Sequence, residues 1–519
     1  MNSFFRISAT IAFVCLCFLK AESQTEKLDY QVISKIKDEA FNHSQVMETM
    51  FNLTDVSGPR LSGSVNLKNA EQWAQKKLSE WGMENCTIEQ WGGFGRRWDV
   101  QKSYVAMTVP YYQPLIAIPK AWTPGTNGLI SADAMLIKVE TEQDLEKYKG
   151  KLNGKIIIVY SNLEVKLGLK PDARRYTDED LKNIFMDRSF DENPENRPPR
   201  DPVQMRKMRQ LMQKVSAFLI DENAAAVISS RGGTMGTFFT TNGASYATNA
   251  KPVLPEVEMG SENINQLIRL LDAGKEVKVE MDIKTSFSDK DTTLYNVIAE
   301  IPGTDKTLKS ELVMIGAHID SWHAATGATD NAAGSAVMME VMRILKTIDA
   351  KPRRTIRIAL WSAEEQGLLG SRGYVKNHFC DPETMTLKPE HAKLSAYYNL
   401  DNGGGKIRGI YLQGNDALRN LFETWLQPFA DLGATTVTTR NTGSTDHISF
   451  DNVGLTGLQF IQDPLDYGNK THHTNMDTYD RIQKADLMQA SAIIASIVYH
   501  TAMRDEKLPR KPLPKVKAK

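Results

Sequence analysis

Three short runs in the second half of the chain, the first continuously apolar and the second alternating, predict strands of a buried sheet. They lie at residues 312–317, 354–361 and 394–401. Runs of this length, bounded by polar or glycine-rich segments, are typical of strands. A helical pattern follows the first run, with these apolar positions on one face: Ala333, Val337, Val341, Ile344 and Leu345. The alternation of predicted strands with a helix fits an open α/β sheet.

Histidine and acidic residues follow each run, which is where open α/β sheets carry their ligands. His318 follows the first run, Glu364 and Glu365 follow the second, and Asp401 ends the third. A single residue of this kind is more often a solvated loop residue, but its recurrence at three strand ends favours a shared site. Adjacent carboxylates point in different directions, so one can bind a metal while the other moves a proton. The pattern therefore predicts a two-metal hydrolase.

Two aspartates near the first run extend this hypothesis. Asp320 lies two residues after His318, on the same face of an extended chain. It can hold the imidazole from behind while the other ring nitrogen binds metal, and we include it with the catalytic residues. Asp330 lies at the start of the helical pattern, where aspartate is a preferred N-cap that binds nothing. Both the cap and the metal interpretation of Asp330 stay open on spacing alone.

Several motifs resemble the co-catalytic di-zinc exopeptidases, the family of bacterial aminopeptidases, glutamate carboxypeptidase and carboxypeptidase Q. The resemblance covers most of the chain and includes LTDVSGPRLSGS, NVIAEIPGT, the HID and TDN segments, AEEQGLLGS, NLDNGG and HHTNMDT. It implies an α/β fold with a mostly parallel central sheet flanked by helices, and an inserted β-rich protease-associated domain. It also implies two Zn²⁺ ions per chain with these ligands: His318, Asp330, Glu365, Asp401 and His473.

In this resemblance Asp330 bridges both ions, and Glu364 is the general base for attack by a metal-bridging hydroxide. Nitrogen and oxygen ligands without thiolate suit zinc, although cobalt or manganese also fit such a site. Three carboxylate ligands and one hydroxide would balance the charge of two divalent ions. Glu364 would then return its proton to the leaving amine.

The last ligand is expected to be His473, because it directly precedes Thr-Asn-Met-Asp-Thr as in the family's pattern. Many aminopeptidases of the family have a tyrosine where this chain has His472. The sequence leaves open whether His472, Tyr467 or neither supports the oxyanion. Asp446 is either an ordinary loop residue or part of the substrate pocket, and Arg440 is more often solvated than a substrate contact.

The start of the chain has the form of a signal peptide. Arg6 precedes a mostly apolar run at 7–19, and residues 21–23 offer a small-x-small cleavage pattern. The run is too short for a standard membrane-spanning helix. We therefore expect residues 1–23 to be removed and the protein to be secreted or periplasmic.

Composition limits the possible partners. The 519 residues are 41% hydrophobic and 24% charged, with a formal net charge of zero. Nothing favours nucleic acid, since no basic patch stands out beyond the tail RKPLPKVKAK. No later apolar run is long enough to cross a membrane, so we expect no stable membrane association. The mature chain keeps only Cys86 and Cys380, which could pair but do not define a disulfide scaffold. The expected partner is a peptide or dipeptide substrate.

An inserted segment divides the peptidase pattern. Short β-rich runs, GKIIIVY, AAAVISS and PVLPEVEM, resemble the protease-associated domain often inserted in this family. We expect a catalytic domain in two parts at 24–122 and 286–505, with the insert at 123–285. A charged helical insertion at about 166–214 lies within the insert, and a basic tail follows at 506–519.

The predicted activity is that of an enzyme, a metallo-exopeptidase that hydrolyses peptide bonds at the N-terminus of peptides. A dipeptidase or carboxypeptidase like carboxypeptidase Q is the close alternative. Glutaminyl cyclases resemble this fold but hold one zinc, so a metal content near one per chain would favour that class. A non-catalytic binding module like the transferrin-receptor relatives is disfavoured, because those relatives have lost metal ligands and this chain has all five positions and the base.

Overall fold

The computed structural model describes residues 26–186 and 201–515 of the chain. The predicted signal peptide, the middle of the charged insertion and the last residues of the basic tail lie outside the described residues. Within the described ranges, no helix combines the length and the apolar character needed to cross a bilayer. Signal peptide and export stay predictions.

Eleven α-helices occur in the described residues, and several begin at the capping residues that polar patterning favours. Asp29 accepts a hydrogen bond from the backbone N–H of Val32, and Ser64 accepts one from Leu67. The helices are α1 Tyr30–Asn42, α2 Val46–Phe51, α3 Val65–Glu80, α4 Asp178–Phe185, α5 Pro202–Asp221, α6 Ser261–Asp272, α7 Ala333–Thr347, α8 Leu369–His378, α9 Arg419–Leu426, α10 His447–Asp451 and α11 Lys484–Met503.

The strands form two eight-stranded sheets and one small hairpin. They are β1 Glu84–Gly93, β2 Arg97–Val109, β3 Gln113–Pro114, β4 Ala117–Pro119, β5 Ile130–Ile137, β6 Ile156–Val159, β7 Ala226–Ser229, β8 Glu256–Met259, β9 Lys278–Ser288, β10 Thr293–Ile301, β11 Leu312–His318, β12 Thr355–Trp361, β13 Cys380–Asp381, β14 Thr386–Leu387, β15 Leu394–Asn399, β16 Ile407–Tyr411, β17 Thr436–Thr438 and β18 Gly457–Gln462. All three runs predicted as strands in the second half are strands.

The first sheet has the order β1-β10-β12-β11-β15-β18-β16-β17. Its four central strands, β12, β11, β15 and β18, pair in parallel, whereas β1 and β10 are antiparallel additions at one edge. Both faces are covered by helices, as a parallel centre requires. The predicted α/β fold with a mostly parallel central sheet is confirmed.

Alternate residues of the central strands enter two different cores. Val313 and Ile315 of β11 pack into the larger core, which α1, α3, α7 and α11 complete, and Met314 packs into the smaller core on the opposite face with Tyr374 of α8 and Phe450 of α10. The side chains of a strand alternate between its two faces, so a run buried on both sides is continuously apolar. This explains the unbroken apolar run that marks β11.

The second sheet has the order β3-β2-β9-β5-β6-β7-β8-β4, with β5 to β8 parallel. Helix α6 packs on one face through Ile264 and Leu267, and α5 packs on the other through Val215 and Leu219. The sheet extends from the start of β2 to the end of β9, so it begins upstream of residue 123. The predicted boundaries of the insert are not otherwise tested and stay a prediction.

The charged insertion begins as an arm that contacts the first sheet and the helix α11 packed on it. Arg175 contacts the carboxylates of Asp463 and Asp486 at 2.9 and 2.8 Å. The backbone N–H of Tyr176 donates to Asp463 at 3.0 Å. The two aspartates are buried, so the arm supplies the positive charge that buried carboxylates require.

The two remaining cysteines do not form a disulfide. Cys380 is buried, Cys86 is half-buried, and both are free thiols in the described structure. Stability of this large chain rests on its two sheet cores, as the low cysteine content indicates.

Candidate metal centre

Four of the predicted site residues lie at the carboxyl edge of the parallel strands. β11 ends at His318, Glu364 and Glu365 follow β12, and Asp401 follows β15. Because β11 pairs in parallel with both β12 and β15, the three strand ends lie side by side. This edge is where open α/β sheets bind their ligands.

Asp330 lies in a short turn, Ala328–Ala332, that leads into α7, and its own φ of −130° and ψ of 85° are not helical. The N-cap of α7 is Ala332 and makes no side-chain cap, so Asp330 is not the capping residue. Asp477 fixes this turn with its carboxylate, which accepts hydrogen bonds from the backbone N–H and the hydroxyl of Thr329 and from the N–H of Asp330, at 2.7, 2.8 and 3.0 Å. The carboxylate of Asp330 is thereby aimed at the strand ends.

The two oxygens of Asp330 face two different groups of side chains. Oδ1 lies 3.3 Å from Nε2 of His318, and that nitrogen lies 3.4 Å from Oδ1 of Asp401. Oδ2 lies 3.2 Å from Nε2 of His473, and that nitrogen lies 2.8 Å from Oε2 of Glu365. The structure thus brings all five predicted ligand residues into one cluster around Asp330.

Polar atoms inside this cluster lack hydrogen bonds. Nε2 of His318 and Oε1 of Glu365 are buried and have no hydrogen-bond partner among the described residues. A buried polar atom left without a partner costs about 1–3 kcal/mol, so the cluster requires a group that satisfies these atoms. Imidazole and carboxylate ligands without thiolate suit zinc, and the residues present therefore fit a divalent metal centre.

Burial also disfavours ionisation of the paired glutamates. Desolvation raises the pKa of Glu364 well above 4.5, against the charge of His318, and the carboxylate of Asp446 raises it further. Desolvation raises the pKa of Glu365 to about 7, although His473 lowers it. A bound cation reverses this effect by favouring the ionised form. The glutamate pair is therefore suited to a cationic site.

Asp320 contacts both His318 and the glutamate pair. Its backbone carbonyl accepts a hydrogen bond from Nδ1 of His318 at 3.0 Å, and its carboxylate Oδ1 lies 3.5 Å from the same nitrogen. The carboxylate also accepts hydrogen bonds from the hydroxyl of Ser62 at 2.9 Å and from the N–H groups of Glu364 and Glu365 at 3.3 and 3.4 Å. The main chain of Asp320 therefore orients His318, and the side chain of Asp320 holds the turn after β12.

His472 and His473 occupy different positions relative to Asp330. Nε2 of His473 is the nearer, whereas Nε2 of His472 lies 3.8 Å from Oδ2. The two imidazole rings are stacked with centroids 3.8 Å apart, and the ring of Tyr467 lies 4.8 Å from that of His472. His473 is therefore the nearer of the two histidines to Asp330, and the rings of His472 and Tyr467 lie at the border of the site.

Asp446 lies close to the cluster, whereas Arg440 lies elsewhere. Asp446 is fully buried, and neither carboxylate oxygen has a hydrogen-bond partner among the described residues. Burial raises the pKa of Asp446 to about 7, against the charge of His318. Arg440 acts electrostatically on Tyr176 and Tyr411, whose pKa values its charge lowers against the larger effect of burial.

The segment that carries the cluster matches a known protein family. The profile of Peptidase family M28 matches residues 296–498, from β10 to α11. This segment is similar to the peptidases of family M28. Carboxypeptidase Q of Mus musculus is 25% identical to this chain over 499 residues, which cover 92% of the chain and 93% of that protein.

Two further comparisons agree with this family. Aminopeptidase YwaD of Bacillus subtilis (strain 168) is 32% identical over 215 residues, covering 40% of this chain and 45% of the relative. The crystal structure of a peptidase M28 precursor from Shewanella amazonensis SB2B superposes with a TM-score of 0.64 at 25% identity, covering 93% of this chain and 98% of that structure. The predicted family and the predicted enzyme class, a metallo-exopeptidase of the hydrolases, are confirmed.

Sequence reasoning missed three residues that hold the centre in place. Asp477 and Ser62 fix the turns that carry Asp330 and the glutamate pair, and Arg60 donates hydrogen bonds from its buried guanidinium to the carbonyls of Ile319 and Thr326, each at 2.6 Å. The signal for all three was present, because Arg60 and Ser62 lie in the motif LTDVSGPRLSGS and Asp477 lies in HHTNMDT.

Proposed function

We propose that the chain is a secreted, zinc-dependent exopeptidase that removes residues from the N-terminus of peptides. The observation that carries this proposal is the division of the cluster by Asp330. On one side its Oδ1 approaches His318, and on the other its Oδ2 approaches His473. Two ions per chain would then be held by Asp330 with His318 and Asp401, and by Asp330 with Glu365 and His473.

Bound together, two metal ions supply Lewis-acid activation of water and of the scissile carbonyl. Glu364 stands beside the ligands with Oε2 at 4.0 Å from Nε2 of His318, and it is not needed in either ligand group. Its carboxylate accepts a proton from the attacking water and returns it to the leaving amine. Asp320 keeps that carboxylate in position through the main chain of the turn.

The charge at the site supports cleavage from the amino end. Asp446 is a buried carboxylate outside the five ligands, and its charge raises the pKa of Glu364. In its ionised form, this further carboxylate favours the α-ammonium of a peptide over its α-carboxylate.

One observation favours a second candidate, a carboxypeptidase or dipeptidase. Carboxypeptidase Q matches the chain along 92% of its length, whereas the aminopeptidase YwaD covers 40% of it. The direction of cleavage separates the two candidates, because an aminopeptidase recognises an ammonium group and a carboxypeptidase recognises a carboxylate.

The test uses the zinc-loaded protein lacking residues 1–23 and an unmodified peptide of about eight residues, with products followed by mass spectrometry. Stepwise loss from the N-terminus is the expected result, and the Glu364→Gln variant is the inactive control. Loss from the C-terminus, or cleavage of dipeptides alone, would replace the proposal by the second candidate. A metal content of one per chain without hydrolysis would reject both.

A further inference from the structure

A loop next to the second sheet contacts the main chain of the segment that carries His473. This loop, residues 236–240, follows β7 along the chain. The N–H of Thr240 donates to the carbonyl of His473 at 2.8 Å, and Phe239 forms an antiparallel bridge with Thr474. The loop therefore pairs with the segment that presents the ligand through one isolated antiparallel bridge.

Asn475 joins the two segments through its side chain. Its Oδ1 accepts a hydrogen bond from the N–H of Phe238, and its Nδ2 donates to the carbonyl of Gly236, both at 2.9 Å. The backbone N–H of Asn475 approaches the carbonyl of Phe238 at 3.4 Å. A side-chain amide that pairs with both a donor and an acceptor of one loop fixes the register between the segments.

The conformation of the loop is fixed by contacts with neighbouring residues of the same segment. Gly233, just before it, has a φ of +128°, and a Cβ there would collide with the carbonyl of Thr237. Only glycine fits so close an approach of main chain to main chain. The second sheet's unit therefore offers Asn475 a preformed partner.

His473 is the ligand that most needs this support. Its side chain is 34% exposed, compared with 1% for His318 and 8% for Asp401. Its φ is +59°, a left-handed conformation that costs free energy for residues other than glycine. His318, Glu365 and Asp401 lie at the ends of the central strands, whereas His473 is held by the loop, by the stacked ring of His472 and by Trp322 at 6.0 Å.

We infer that Asn475 is a positioning residue that sets the affinity of the metal position made by His473, Glu365 and Asp330. It acts through the loop at 236–240, so residues that follow β7 of the second sheet complete the metal centre. The position made by His318, Asp401 and Asp330 does not depend on it. This inference rests on the proposed two-metal function.

The test measures zinc binding rather than peptide cleavage. Zinc would be withdrawn from the protein lacking residues 1–23 by titration with a chelating indicator. In Asn475→Ala we expect one of two release steps to shift to weaker binding by about 10- to 100-fold, the range typical of residues that orient metal ligands. The other step should match the unsubstituted protein. Asn475→Asp keeps the acceptor for Phe238 and loses the donor to Gly236, so the same step should shift by less.

The matched control is Asn242→Ala. Asn242 follows the same loop, and its side chain donates to the carbonyl of Ala244 at 3.2 Å without reaching the His473 segment. This variant should keep both release steps unchanged. Wild-type affinity in both Asn475 variants, equal weakening of both steps, or the same shift in Asn242→Ala would overturn the inference. A single release step in the unsubstituted protein would instead contradict the proposed two-metal function.

Discussion

Replacing Asp320 by alanine should slow peptide hydrolysis while both metal ions stay bound. The alanine retains the backbone carbonyl that accepts the hydrogen bond from Nδ1 of His318. It removes the carboxylate that accepts the N–H groups of Glu364 and Glu365. Ligand orientation is therefore preserved at β11, and the turn that carries the general base loses its support.

The size of the effect follows from the two bonds to this turn. Hydrogen bonds to a charged group contribute about 1.5–3 kcal/mol each. At 3.3 and 3.4 Å both bonds are long, so the lower value applies and the total is about 3 kcal/mol. A loss of that size in the transition state corresponds to a fall of roughly 100-fold in kcat. The kcat of Asp320→Asn should lie between those of Asp320→Ala and the unsubstituted protein, because the side-chain oxygen of asparagine can still accept one hydrogen bond.

The assay measures kcat and KM on one peptide together with the zinc content of the same samples. Asp349→Ala is the control, since Asp349 is an exposed aspartate whose carboxylate pairs only with Lys351 among the described residues. Loss of one ion in Asp320→Ala would show that the carboxylate holds His318, as the sequence predicted. An unchanged kcat would show that the turn keeps its position without Asp320.

Three further changes test the base, a surface ion pair and the core. Glu364→Gln should abolish turnover and retain zinc; normal activity would reject Glu364 as the base. Glu390 and Glu89 outweigh burial and raise the pKa of His378 to about 9, so this ion pair stabilises the fold below pH 6.5 and its contribution is lost as pH rises through about 9. Urea unfolding of His378→Gln should therefore differ from the unsubstituted protein at pH 6 and converge with it above pH 9, and a constant difference would refute this. Ile315→Ala should lower the free energy of unfolding by about 2–5 kcal/mol, since Ile315 is fully buried; denaturant titration giving under about 1 kcal/mol would contradict its packing.

Local patterns were sufficient where a strand or helix carries its own periodicity. The run of β11 is continuously apolar because both faces of a parallel strand are buried, whereas the run of β12 alternates, and each pattern indicates a strand locally. The start of the second sheet was not recognised in this way. β2 pairs with β9, which lies far along the chain, and no local pattern shows which sheet a strand will join.

For this protein, the sequence by itself determined where a shared site was to be expected. Histidine and acidic residues at three strand ends pointed to one edge of a parallel sheet, and the resemblance of the motifs to di-zinc exopeptidases supplied Glu364 and the five candidate ligands. Only the tertiary structure decided which atom of each residue contacts which partner. It assigned the carbonyl of Asp320 to His318 and its carboxylate to the glutamate turn, and it brought the loop at 236–240 against His473. Such contacts join residues distant in the chain, and their geometry depends on packing that local sequence does not encode.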